Sequence, residues 1–197
     1  MVDAALRLFS ESAYEAVQMD DVARAAGVAK PTLYRYFHTK EELFLEGLEK
    51  ALGDLETEAE EAAAGAASAR EGLATVIRCV IASLGRCTAA IRAFDGADTR
   101  LGERGRAVVR RRVKQIRKTI ASLIARGVAT GEFRPLEPDL VAVALLGAMR
   151  MTAAHTTERQ QAGAARMLAD LIENGLAPEA PFSGAASPLM DETVVPS

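Results

Sequence analysis

Apolar residues recur along this chain at intervals of three and four, with no sustained alternation of two, so the pattern predicts helices throughout. Ala5, Leu6, Leu8 and Phe9 trace a first stripe over residues 3–12. A short helix over 20–26 ends at Gly27, which suits a left-handed C′ position. A second short helix runs from about Lys30 to Tyr36, with Pro31 tolerable in its first turn. Thr39 and Glu42 form a capping box that opens a long helix carrying Leu43, Phe44, Leu48, Leu52 and Leu55 on one side. Residues 56–69, rich in Ala and Glu, read as an exposed helix end and connection. Ser68 and Glu71 make a second capping box before Leu73, Val76, Ile77, Val80, Ile81 and Leu84.

Glycines at 96, 102 and 105 predict a broken connection over 95–105. Beyond it, Val109, Val113, Ile116, Ile120, Leu123 and Ile124 mark a strongly amphipathic helix. Gly131 ends that helix, Pro138 restarts the chain, and two last helices are expected over about 139–155 and 158–175. Proline, serine and glycine from Pro178 onward predict a disordered tail. The expected fold is all-α, with a domain at 1–45, a larger one at 46–177 and the tail at 178–197.

Composition narrows the function. The 197 residues carry a net charge of −3, so any attraction to nucleic acid must come from a local patch. No apolar run approaches the ~20 residues of a membrane span, and the first residues lack the pattern of a signal peptide. A cytoplasmic protein that does not enter membranes is expected. Cys79 and Cys87 are too few for a disulfide framework and are expected to be reduced. His38 and His155 are the only histidines, and no metal-ligand spacing, phosphate loop or nucleophile elbow occurs. That inventory argues against an enzyme and implies no cofactor or metal.

One segment departs from the acidic balance. Between Val28 and Lys40 there are basic residues and no carboxylates, and all three tyrosines lie within the first 36 residues. Val22, Ala23 and Ala26 share a face of the first short helix; Val28, Leu33, Tyr36 and Phe37 supply the facing apolar positions. Ala23 is small where two helices must approach, and Gly27 allows a positive φ at the turn. This is the pattern of a helix-turn-helix, whose second helix enters the major groove. The bland alternative is a helical hairpin with a basic face.

Residues 4–44, "AALRLFSESAYEAVQMDDVARAAGVAKPTLYRYFHTKEELF", resemble the DNA-binding domain of TetR/AcrR transcriptional regulators, most specifically in the Leu-Tyr-x-Tyr-Phe-x-x-Lys run at 33–40. The resemblance implies a two-fold dimer of helical subunits, each with a regulatory domain that binds a small-molecule inducer. It places Lys30, Pro31 and Thr32 at bases or nearby phosphates, and Tyr34, Tyr36 and Lys40 on the DNA backbone. Gln18 is a further phosphate donor, and Arg35 a weaker base reader beside Lys30 and Thr32. It also implies residues ahead of Met1 in the first helix. Without that basic arm, weak DNA binding with a shallow salt slope is expected, or else a natural start upstream.

In the regulatory domain the implied inducer pocket falls near Leu84, Cys87, Ile91, Phe94, Val113, Ile116 and Met149. Few aromatic residues follow position 44, which favours an aliphatic or small ligand over a planar drug. The implied dimer interface is a stripe of Leu140, Ala144, Gly147 and Ala148 with Ala165, Leu168 and Ile172. Residues 100–118 hold nine basic side chains and one acid, usually a solvated helix face. A sharper reading has Arg110, Arg111 and Lys114 meeting an anionic ligand head such as that of an acyl-coenzyme A. The expected function is a ligand-responsive repressor bound to a palindromic DNA operator. The rival is a helical carrier or adaptor that never touches DNA.

Overall fold

Eight helices make up the described part of a computed structural model, which covers residues 1–12, 14–86 and 102–178. They are α1 (Val2–Glu11), α2 (Met19–Ala25), α3 (Lys30–Tyr36), α4 (Lys40–Gly65), α5 (Ala69–Arg86), α6 (Gly102–Thr130), α7 (Pro138–His155) and α8 (Glu158–Leu176). No strand occurs among the described residues. None of these helices is long and apolar enough to cross a membrane.

Local chemistry sets the ends. Gly27, at φ +66°, occupies the left-handed position after α2. The Val28 N–H returns to the Ala23 carbonyl at 3.0 Å and the Gly27 N–H to that of Arg24 at 3.2 Å. This 6→1 and 5→2 pair is the Schellman arrangement, and it turns the chain sharply into α3. Thr39 caps α4 by accepting from the Glu42 N–H at 3.1 Å. The Glu42 carboxylate reaches one residue further than a simple capping box predicts, accepting from the His38 N–H at 2.8 Å. α5 begins in the same way, with Ser68 accepting from Glu71 N–H and Glu71 accepting from Ala67 N–H, both at 3.0 Å.

Two differences from the sequence pattern concern helix length. α4 continues through the Ala- and Glu-rich stretch to Gly65, as high intrinsic helix propensity allows. α6 begins at Gly102, inside the expected connection, and buries Gly105. Residues 87–101 and 179–197 lie outside the described part, and with them the predicted tail beyond Pro178.

Side chains sort into two cores that divide part-way along α4. The first gathers Ala5, Phe9, Val17, Met19, Val22, Ala23, Leu33, Leu43, Phe44, Leu48 and Leu52 with Val109 of α6. Phe9, Tyr14 and Phe44 interlock there, with Phe44 edge-on to both other rings at 5.1 Å. The second core runs from Leu55 through α5 and the inner faces of α6, α7 and α8, and it is almost wholly aliphatic. The α4–α6 seam is lined with ion pairs: Arg111 to Glu49, and Arg112 to Glu56 at 2.7 Å. Gly53 leaves room for the Arg112 guanidinium, since a Cβ there would stand 3.3 Å from its Nη2.

Candidate nucleic-acid interface and ligand cavity

α3 is held by Leu33, which is fully buried against Val22 and Ala23 of α2. With Leu33 inward, helical geometry turns Pro31, Tyr34 and Arg35 outward. Thr32 is half-buried, at the edge of the contact. Tyr36 was expected to serve both as a packing residue and as a DNA contact; it is 58% exposed and does not pack. Phe37 is half-buried against the first core in its place. The Arg35 guanidinium lies over the Tyr36 ring at 5.1 Å. Gln18 stands exposed at the N-cap of α2 without capping it through its side chain, and its Nε2 reaches the Glu15 carbonyl at 3.5 Å.

Two lysines have protein partners the sequence did not reveal. Lys30 Nζ lies 2.8 Å and 2.9 Å from the two carboxylate oxygens of Asp20, and that carboxylate raises the lysine pKa above its ordinary value. Lys40, expected on a phosphate, is engaged within the protein. Its ammonium turns inward and donates to the carbonyls of Tyr14 at 2.8 Å, Val17 at 3.0 Å and Glu15 at 3.4 Å. It also sits 4.5 Å over the Tyr14 ring. Three carbonyls match the three donors of an ammonium, so this side chain closes the α1–α2 turn.

The second site is a cavity of about 260 Å³ between α4, α5, α6 and α7. Leu84, Val113 and Ile116, three of the expected pocket residues, line it together with Leu55, Val80, Leu146, Gly147 and Arg150. Met149 is fully buried but is not in the wall. Cys87, Ile91 and Phe94 lie outside the described residues. Arg150, the charged group of the wall, carried no sequence signal that set it apart from other helix-face arginines. The described lining has neither an aromatic ring nor a carboxylate. Arg110, Arg111 and Lys114 do not line it; Arg110 and Lys114 face solvent and Arg111 pairs with Glu49. The run is a solvated face and an ion-paired seam.

The expected interface stripe divides in two. On α7, Leu140 and Val143 are exposed, with Ala144 and Gly147 beside them. On α8 the expectation is corrected: Ala165 and Ile172 are buried in the second core, and Leu168 packs half-buried against it. Ala165, Ala169, Ile172 and Leu176 form one helical stripe facing inward, so the opposite face presents Met167 and Leu171, 69% and 70% exposed.

A helix-turn-helix head on a larger helical body also describes known proteins. Residues 1–46 match the profile of bacterial regulatory proteins of the tetR family, and residues 66–155 that of the tetracyclin repressor-like C-terminal domain. The chain belongs to the TetR family. It is similar to the HTH-type transcriptional regulator YhgD of Bacillus subtilis, 28% identical over 147 residues, which cover 74% of this chain and 76% of that protein. It is 32% identical over 132 residues to the HTH-type transcriptional repressor KstR of Mycobacterium tuberculosis, covering 67% of this chain and 58% of KstR. The crystal structure of the TetR family regulator PfmR from Thermus thermophilus superimposes with a TM-score of 0.72 at 25% identity, over 90% of this chain and 95% of that one. This TetR family member is a DNA-binding transcriptional regulator and not an enzyme. A carrier without a DNA-binding role is not favoured.

Proposed function

We propose that this protein is a homodimeric repressor whose two α3 helices enter successive major grooves of a near-palindromic operator, and which a small aliphatic ligand releases. The observation that carries the DNA half is the disposition of α3: Leu33 is buried while Pro31, Tyr34, Arg35 and Tyr36 stand outward. Tyrosine hydroxyls and Arg35 then address phosphates or base edges. The dimer reading is supported by the exposed apolar residues of α7 and α8, which form the kind of face a second subunit covers. The repressor reading is supported by KstR, which is named a repressor.

The ligand half rests on the cavity wall, whose aliphatic side chains suit a hydrocarbon body. Because the wall takes residues from α4 through α7, an occupant that spreads those helices favours one arrangement of the body over another. A change in α4 reaches the head directly, since Leu48 and Leu52 of α4 belong to the first core. Release is then a shift between two populations. The test is a mobility-shift assay on DNA upstream of the protein's own gene, with and without short- and medium-chain fatty acids and their thioesters. Retardation relieved by an aliphatic compound is the expected result. Failure of the protein to retard that DNA, or retention unaffected by the whole series, counts against the corresponding half.

A further inference from the structure

Four cations lie between Gln18 and Lys40, and three are held by carboxylates or backbone carbonyls of the protein itself. Arg24 pairs with Asp21 at 3.1 Å, Lys40 is occupied by turn carbonyls, and Lys30 is gripped by both oxygens of Asp20. The Asp20–Lys30 pair differs from the Arg24–Asp21 pair because it joins α2 to the first residue of α3. Its side chains are 56% and 52% exposed, on the layer where DNA must lie if α3 enters the groove. An exposed pair of this kind contributes little to fold stability. Its consequence lies in what each kind of DNA contact must displace.

An ammonium has three donors and no acceptor. A phosphate that binds Lys30 must bring a full negative charge beside the Asp20 carboxylate or displace it. A guanine edge offers neutral O6 and N7 acceptors and can take a remaining N–H while Asp20 keeps its hold. The carboxylate therefore opposes the first contact much more than the second. Sequence-independent binding depends on the first, since it comes almost entirely from phosphate neutralisation.

We propose that Asp20 is a specificity-determining residue that orients Lys30 toward base edges and makes its transfer to phosphate unfavourable. The proposal rests on the reading that α3 is the groove-entering helix. In this view the protein carries its own competitor for phosphate, and sequence-independent binding stays weak relative to operator binding.

The experiment compares two DNA probes over a range of salt. One is a mixed-sequence duplex; the other is a duplex that the wild-type protein selects from a random pool. Asp20→Asn is expected to tighten mixed-sequence binding by about fivefold or more at low salt and to steepen its salt slope by about 0.9 per subunit, one added phosphate for each α3. The ratio of selected to mixed-sequence affinity falls accordingly. Asp20→Glu, which keeps the charge, restores most of that ratio. In a Lys30→Gln background Asp20→Asn loses its effect on the slope, which ties the effect to this lysine rather than to overall charge. Circular dichroism melts confirm that each variant is folded. An equal gain on both probes, or the same slope change without Lys30, overturns the proposal. Failure of the wild type to retain any duplex overturns the groove reading itself and is distinguishable from both.

Discussion

In the head, the ammonium of Lys40 donates to the carbonyls of Tyr14, Glu15 and Val17; in the body, the carboxylate of Glu132 accepts from the N–H groups of Ala69 and Arg70. Each region thus uses one charged side chain to satisfy backbone groups far away in sequence. The regions differ in what surrounds that contact. The head is built of short helices around an interlocked Phe9, Tyr14 and Phe44, where each ring has specific partners. The body stacks long helices through many interchangeable aliphatic contacts, with Phe133 as the aromatic of its described core. A small core obtains a unique arrangement from shaped aromatic contacts, whereas a broad aliphatic core tolerates both a cavity and rearrangement around it. This contrast suits a rigid DNA reader joined to a pliable ligand sensor.

The sharpest way to break the contrast is to truncate one residue in each core. Phe44→Ala removes the ring shared by both edge contacts and is expected to cost about 3–5 kcal/mol, while Ile77→Val in the body costs about 1 kcal/mol. Urea denaturation followed by circular dichroism measures both, and DNA retardation should vanish only in the first. Comparable losses at the two sites would erase the distinction between interlocked head and tolerant body.

Next in size is the effect on assembly. Leu171→Glu places a carboxylate on the outer face of α8 without touching the cavity wall, unlike a change at Gly147. Light scattering should show a monomer, with protomer stability altered by about 0.5 kcal/mol or less, as for other surface substitutions. An undisturbed dimer would move the subunit contact away from this face.

Lys40→Met comes third, because it leaves three carbonyls without their donor. A loss of about 2 kcal/mol is expected, with weaker DNA binding but an unchanged salt slope. A slope reduced by about 0.9 per subunit would instead place Lys40 on a phosphate and undo its assignment as an internal strut.

These residues also mark where sequence reading stopped. Helix existence was legible because the pattern is local: Gly27 ended α2, Leu33 anchored α3, and the expected 139–155 and 158–175 correspond to Pro138–His155 and Glu158–Leu176. Most of the outward face of α3 followed from the same periodicity, but Tyr36, expected to pack, is exposed, and Thr32, expected outward, is half-buried. What periodicity could not supply was the choice between two apolar stripes on one helix. Both Ala165–Ile172 and Met167–Leu171 have helical spacing, and only the position of the second core decides which is inside. Long-range pairs were likewise out of reach. Nothing near Lys40 indicates carbonyls more than twenty residues earlier, and nothing near Ala69 indicates a carboxylate at Glu132.

The smallest expected effect concerns that carboxylate and depends on pH. Glu132 comes from the loop between α6 and α7, where Gly131 at φ +75° reverses the chain. Its two oxygens lie 3.1 Å from the N–H groups of Ala69 and Arg70, donors that the first turn of α5 cannot satisfy internally. Arg70 closes the arrangement by donating to the Glu132 backbone carbonyl at 3.1 Å. The N–H of Arg70, followed by that of Ala69, the Thr130 hydroxyl and the charge of Arg126, holds the Glu132 carboxyl below its ordinary pKa of 4.5. A carboxylate with a depressed folded-state pKa stabilises the fold fully above its unfolded value, and that stability is lost as pH falls through the folded one. Glu132→Gln keeps the shape and removes the charge, so it should cost about 1 kcal/mol at neutral pH, the usual size of a lost cap. The difference from wild type should shrink as pH falls from the unfolded carboxyl value through the lowered folded one, where wild-type Glu132 also becomes neutral. Urea midpoints of both proteins measured between neutral and acidic pH test this. Parallel curves down to the acid limit would mean that Glu132 acts by shape alone, leaving Lys40 as the charge-dependent closure.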